Sequence, residues 1–121
     1  MDNLRVLFVD DEEELAFTVV ERLKFRGVDA QAATSGDEAL QLIKEQDFDV
    51  IVLDVKMPGL GGFDVIRRIK QEHPDLVVIF LTGHGVEEDA QEGMRMGAFE
   101  YLMKPVDIDV LVEILHRAAK T

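Results

Sequence analysis

Five residues of types that do chemistry stand at the ends of apolar runs. Asp10 and Asp11 follow Leu4-Arg5-Val6-Leu7-Phe8-Val9, and Asp54 follows Val50-Ile51-Val52-Leu53. Thr82 follows Leu76-Val77-Val78-Ile79-Phe80-Leu81, and Lys104 follows Phe99-Glu100-Tyr101-Leu102-Met103. Three carboxylates sharing a partly buried crevice are unfavourable unless a cation or a proton compensates them. One lysine leaves a negative excess suited to a divalent ion. With no cysteine in the chain and no convincing histidine cluster, an oxygen-only ligand set points to Mg²⁺, with Mn²⁺ as the alternative. Such an ion keeps several waters and leaves room for a phosphoryl group. Asp54 is then the best nucleophile, since a carboxylate can accept a phosphoryl group as an aspartyl phosphate. The ion, the Lys104 ammonium, the Thr82 hydroxyl and loop N–H groups can stabilise charge on the transferring oxygens.

These residues lie far apart in sequence, so the chemistry depends on the elements that carry them. The apolar runs before Asp10, Asp54, Thr82 and Lys104 read as strands, rich in β-branched and aromatic residues. Val50 to Leu53 is almost wholly apolar, as expected of a strand covered on both sheet faces. Residues 28–33 form a weaker strand, because its alanines have poor strand propensity.

Helical spacing appears between the strands. Leu15, Val19, Val20 and Leu23 mark a helix over 12–26 that stops at Gly27. Ser35 caps a second helix, with Glu38 three residues on and Ala39, Leu40 and Ile43 as its buried stripe. Phe63, Ile66 and Ile69 line a third helix that ends near His73-Pro74. A fourth, over 86–95, has only Ala90 and Met94 as a sparse stripe. Val110, Leu111, Ile114, Leu115 and Ala118 supply a fifth.

This fivefold β-α alternation predicts an α/β fold: a five-stranded parallel sheet with helices on both faces, (βα)5. The flavodoxin-like order 2-1-3-4-5 is a reasonable candidate that pattern alone does not select. In that order the first and third strands are neighbours, and Asp10, Asp11 and Asp54 meet where strand order reverses. Met57-Pro58-Gly59-Leu60-Gly61-Gly62 after Asp54 is turn chemistry.

At 121 residues, 47% hydrophobic and 31% charged, the chain reads as one globular domain over 1–121. A formal net charge of −12 argues against nucleic-acid binding by this domain, since duplex affinity comes largely from Lys and Arg on phosphates. Arg67-Arg68 with Lys70 is a solvated helix face. No signal segment and no long apolar run is present, which makes a cytoplasmic location the default and membrane association unexpected.

In order and position, VDDEEE, VIVLDVKMPGLGG, LTGHG and YLMKP together resemble the receiver domain of two-component response regulators, the CheY-like superfamily, over essentially the whole chain. The resemblance implies a phosphorylation-controlled signalling switch. It identifies Asp54 as the phosphoacceptor, fed by the phosphohistidine of a sensor histidine kinase, by a phosphotransfer protein or by a small phosphodonor. Asp10 and Asp11 position Mg²⁺ together with Asp54 and the backbone carbonyl of Lys56. Thr82 contacts the phosphoryl group and moves with it, and Lys104 pairs with its oxygens. Such a domain catalyses its own phosphorylation and autodephosphorylation, with Lys56 and His84 tuning phosphoryl lifetime. Tyr101 changes rotamer with Thr82 and alters the surface of the fourth helix, fifth strand and fifth helix, where an output domain docks or a homodimer forms. The resemblance further implies a cis peptide before Pro105. The wording of LDVKMPGLGGFDVIRRI suits a regulator with an ATPase or DNA-binding output domain.

Blander roles compete for the same residues. Asp11 with Glu14 fits a capping box, Thr82 a helix cap, Lys104 a surface lysine and Tyr101 an ordinary edge aromatic. Phe8, Phe25, Phe48, Phe80 and Phe99 are assigned to core or near-core packing, and Met94 and Met96 to gap filling, with exposure at a partner surface as the alternative. Two other functions use the same crevice: a flavodoxin-like cofactor-binding module, disfavoured by three acids facing an anionic cofactor, and an aspartyl-phosphate hydrolase, for which Asp10-Asp11 lacks the alternating spacing.

Overall fold

A computed structural model describes residues 4–83 and 87–119. The order is β1 (Arg5–Val9), α1 (Glu13–Phe25), β2 (Asp29–Ala33), α2 (Gly36–Glu45), β3 (Val50–Asp54), α3 (Gly62–Glu72), β4 (Val77–Thr82), α4 (Glu87–Arg95), β5 (Glu100–Met103) and α5 (Ile108–Ala119). The sheet is parallel throughout, in the order β2-β1-β3-β4-β5. The flavodoxin-like order is therefore the observed one. Chain order reverses between β1 and β3, where Val9 pairs with Leu53, so the residues following these two strands emerge side by side.

Strand alternation divides the core in two. Val6, Phe8, Val50, Val52, Ile79 and Leu81 face Ala16, Val19, Val20 and Leu23 of α1 and Leu111, Ile114 and Leu115 of α5. Leu7, Val9, Ile51, Leu53, Val78 and Phe80 face Ala39 and Ile43 of α2 and Val65, Ile66 and Ile69 of α3. Burial of each large side chain contributes roughly 1.5–3 kcal/mol relative to exposure; β1, β3 and β4 are packed from both sides, whereas the edge strand β5 alternates half-buried and exposed residues.

The expected Ser35 cap forms: its hydroxyl oxygen accepts from Glu38 N–H at 3.1 Å, and Glu38 Oε1 accepts in return from Thr34 N–H at 2.7 Å. The peptide before Pro105 is cis, as the resemblance implied.

Three packing expectations fail. Phe25 is 81% exposed, because it lies opposite the Ala16, Val19, Val20 and Leu23 stripe of α1. Met94 is 40% exposed, because α4 approaches the sheet through Ala90 and Gly93, both buried. A Cβ at Gly93 would overlap the Phe80 ring. Contact this close needs a residue with no side chain, which an apolar-stripe pattern does not register. Val110 is 41% exposed and stands outside the buried face of α5 formed by Leu111, Ile114, Leu115 and Ala118. Among the described residues no helix is long and apolar enough to cross a membrane.

Candidate phosphoryl-acceptor site

The carboxyl ends of β1 and β3 share one local device. Asp10 Oδ1 accepts from Glu12 N–H at 3.0 Å and Asp54 Oδ1 from Lys56 N–H at 3.1 Å. In each case a carboxylate caps the backbone two residues on, the Asx-turn habit that makes aspartate suited to the exit of a strand. One oxygen of each side chain is thereby fixed, and the other faces the crevice. The loop after Asp54 then turns back sharply. Gly62 N–H donates to Val55 O at 2.9 Å, and a Cβ at Gly62 would meet the Asp54 carbonyl oxygen. Only glycine lets α3 start this close to β3.

Lys104 enters from the end of β5. Its backbone N–H donates to Thr82 O at 3.0 Å, and its ammonium reaches three carboxylates. The Nζ distances are 2.8 Å to Asp10 Oδ2, 3.0 Å to Glu12 Oε1 and 3.2 Å to Asp54 Oδ2. Asp10 and Asp54 are buried, and so is Thr82, the last residue of β4, whereas Asp11 is exposed.

This burial sets the electrostatics. Desolvation is the largest influence on Asp54 and the charge of Asp10 adds to it, outweighing Lys104 and the Lys56 N–H, so its pKa is raised to about 6. Burial opposes the Lys104 ammonium, but its contacts with Asp10, Glu12 and Asp54 prevail and hold it above the ordinary lysine range.

The donor set fits a divalent ion. One carboxylate oxygen each from Asp10, Asp11 and Asp54 lie within 4.8 Å of one another. Asp10 Oδ2 is also buried without a hydrogen bond; the Lys104 ammonium beside it is an ion pair, off the direction a hydrogen bond to that oxygen requires. A buried anionic oxygen left in this condition is what a hard cation satisfies.

The remaining sequence candidates fall around this centre. Lys56 is exposed, and its ammonium pairs with Asp89 of α4 at 3.8 Å. Tyr101 is 38% exposed on β5, and His84 lies outside the described residues. Asp11 does not cap α1: the cap position is Glu12, with no side-chain cap hydrogen bond. Sequence reasoning assigned no role to the Glu12 side chain, whose bond to Lys104 spans 92 positions. The available signal was a third acid directly after the aspartate pair. Nor did it anticipate Asp89, which lies on a polar helix without local distinction.

Comparison with known proteins gives concordant findings. The family described as the response regulator receiver domain matches residues 6–116. A putative NtrX-like response regulator of Rickettsia conorii (strain ATCC VR-613 / Malish 7) is 35% identical over 122 residues, covering 99% of this chain and 26% of that protein. The DNA-binding transcriptional regulator NtrC of Escherichia coli (strain K12) is 35% identical over 113 residues, covering 93% of this chain and 24% of the relative. The chain thus spans about a quarter of the length of these curated relatives. Among solved structures, a response regulator receiver domain protein from Clostridium thermocellum superposes with a TM-score of 0.91 at 37% identity, covering 97% of this chain and 94% of that one.

Proposed function

The chain belongs to the response regulator receiver domains and is a phosphorylation-controlled signalling switch; on that premise we propose that Asp54 is its phosphoacceptor. The observation that carries the assignment is the convergence of Asp10 and Asp54 on the Lys104 ammonium, at 2.8 and 3.2 Å, within the three-carboxylate cluster that Asp11 completes. A carboxylate oxygen of Asp54 forms a bond to phosphorus as the bond from phosphorus to the donor's nitrogen or oxygen breaks, and the leaving group departs with that electron pair. Lys104 is placed to pair with a phosphoryl oxygen, and Thr82 ends the neighbouring strand with its backbone tied to Lys104. Asp10, Asp11 and Asp54, with the Lys56 carbonyl, would hold Mg²⁺, or Mn²⁺ in its place. When bound, such an ion supplies positive charge for the transferring phosphoryl oxygens.

The raised pKa of Asp54 has a chemical consequence. Without a metal the carboxylate is poorly solvated and repelled by Asp10, so a divalent ion bound beside it would relieve that cost and hold it ionised for attack on phosphorus. Hydrolysis of the same acyl phosphate returns the domain to its resting state, with Lys56 and His84 at the positions that set its lifetime.

The donor class in this proposal is the phosphohistidine of a sensor kinase or phosphotransfer protein, with small phosphodonors as substitutes. Transmission runs from Thr82 to Tyr101 and the surface of α4, β5 and α5, toward a homodimer or an output domain. Residues 1–121 act as one receiver module, in a cytoplasmic setting. An ATPase or DNA-binding output domain in the same polypeptide is supported by the fraction of the regulators that the chain spans. The test is intact-mass analysis after incubation with a small phosphodonor. One phosphate should add to wild type with Mg²⁺ present and far more slowly with chelator; equal labelling in chelator would refute the metal assignment.

A further inference from the structure

We propose that Glu12 is a positioning residue that occupies Lys104 in the resting state and must release it before the ammonium can serve a phosphoryl group; this rests on Asp54 being the acceptor. A lysine ammonium has three N–H donors and no more. Here three carboxylate oxygens surround it at 2.8, 3.0 and 3.2 Å, from Asp10, Glu12 and Asp54. Two of its donors are held in hydrogen bonds, to Glu12 Oε1 and Asp54 Oδ2, and Asp10 Oδ2 crowds the ammonium as an ion pair, so a phosphoryl oxygen arriving on Asp54 has to displace one of these contacts.

Burial decides which. The Asp10 side chain is 0% exposed, so releasing it leaves a carboxylate oxygen in a dry crevice, while Asp54, 6% exposed, stays within reach of the ammonium through the phosphoryl group it accepts. Glu12 is 64% exposed, and water takes over its hydrogen bond at once. Its side chain has no competing local duty, since it makes no cap bond to α1. Its backbone is anchored independently: Glu12 N–H donates to Asp10 Oδ1 and Glu12 O accepts from Ala16 N–H. Loss of the carboxylate charge should therefore leave the strand exit and the helix start in place.

The resting contact stabilises the unphosphorylated form. Lys104 serves the phosphoryl group in both transition states, of transfer to Asp54 and of hydrolysis, so Glu12 is already displaced in the phosphorylated form. Glu12 consequently slows entry of the phosphoryl group without altering its departure.

The experiment compares wild type with E12Q, E13Q and E14Q, using acetyl phosphate and Mg²⁺ and following Asp54 phosphorylation by intact mass. Glu13 and Glu14 are exposed, and their variants remove the same charge from neighbouring positions. E12Q should label about three- to fivefold faster than wild type, the scale expected for one exposed ion pair. Its hydrolysis rate after donor removal should match wild type, and E13Q and E14Q should label within a factor of about 1.5 of wild type. Equal acceleration in all three variants would reduce the effect to general charge and overturn the proposal, as would an E12Q rate equal to or below wild type. Failure of wild type itself to label, with D54N behaving identically, would instead overturn the acceptor assignment.

Discussion

Asp54 carries opposing demands. As the proposed acceptor it must stay ionised to react, yet burial and the Asp10 charge raise its pKa from 3.8 to about 6 in the metal-free fold. A carboxyl group whose folded-state pKa lies above its unfolded one binds more protons when native, between those two values. Its contribution to stability is full below about 3.8 and is lost as pH rises through about 6. Metal-free wild type should therefore lose stability relative to Asp54→Asn across that window. At pH 7.5 the variant should be the more stable by about 1–2 kcal/mol, less than the full linkage value because crevice water screens the charge. Urea unfolding of both proteins from pH 4 to 8 in chelator measures this, and parallel pH profiles would show that Asp54 is not destabilised by its surroundings. The convergence of Asp10 and Asp54 could be read from sequence because both follow apolar strands whose neighbour relation a doubly wound sheet supplies. The Glu12–Lys104 contact could not: it depends on how far a flexible lysine reaches across the rim.

Among the elements, the strands announced themselves because covering on both faces demands nearly continuous apolar residues, as in Val50 to Leu53. The helices were harder. In α1 the apolar set contains Phe25 as well as the true stripe, and only the angular position around the helix separates them. In α4 the contact surface is Ala90 and Gly93, where smallness and not hydrophobicity is selected. This gives a prediction specific to α4. Gly93→Ala should destabilise the domain by about 1–3 kcal/mol, because the fully buried Phe80 ring has no room to withdraw. Adding Phe80→Leu should cost less than the sum of the two separate changes, since it removes the ring atoms in the way. Strict additivity in denaturant unfolding would place α4 out of contact with Phe80.

For the molecule as a whole, the site is a deliberate local instability set into a well-packed core. Asp10, Asp54 and Thr82 are the buried polar or charged residues among those described, and all three lie at the carboxyl rim of the sheet. Metal binding at the carboxylate cluster would relieve this instability and register as global stabilisation, about 2.7 kcal/mol when Mg²⁺ is 100-fold above its dissociation constant. Asp11 is exposed, so Asp11→Ala should change metal-free stability by no more than about 0.5 kcal/mol while most of the Mg²⁺ increment disappears. An undiminished increment in this variant would remove Asp11 from the ligand set. The central claim is tested most directly by locating the phosphoryl group: label the protein with a small phosphodonor and Mg²⁺, trap the acyl phosphate by borohydride reduction, and map the altered residue by peptide mass spectrometry. The modification is predicted at Asp54 alone and absent from Asp54→Asn; trapping at any other aspartate, or equally in the variant, would contradict the account.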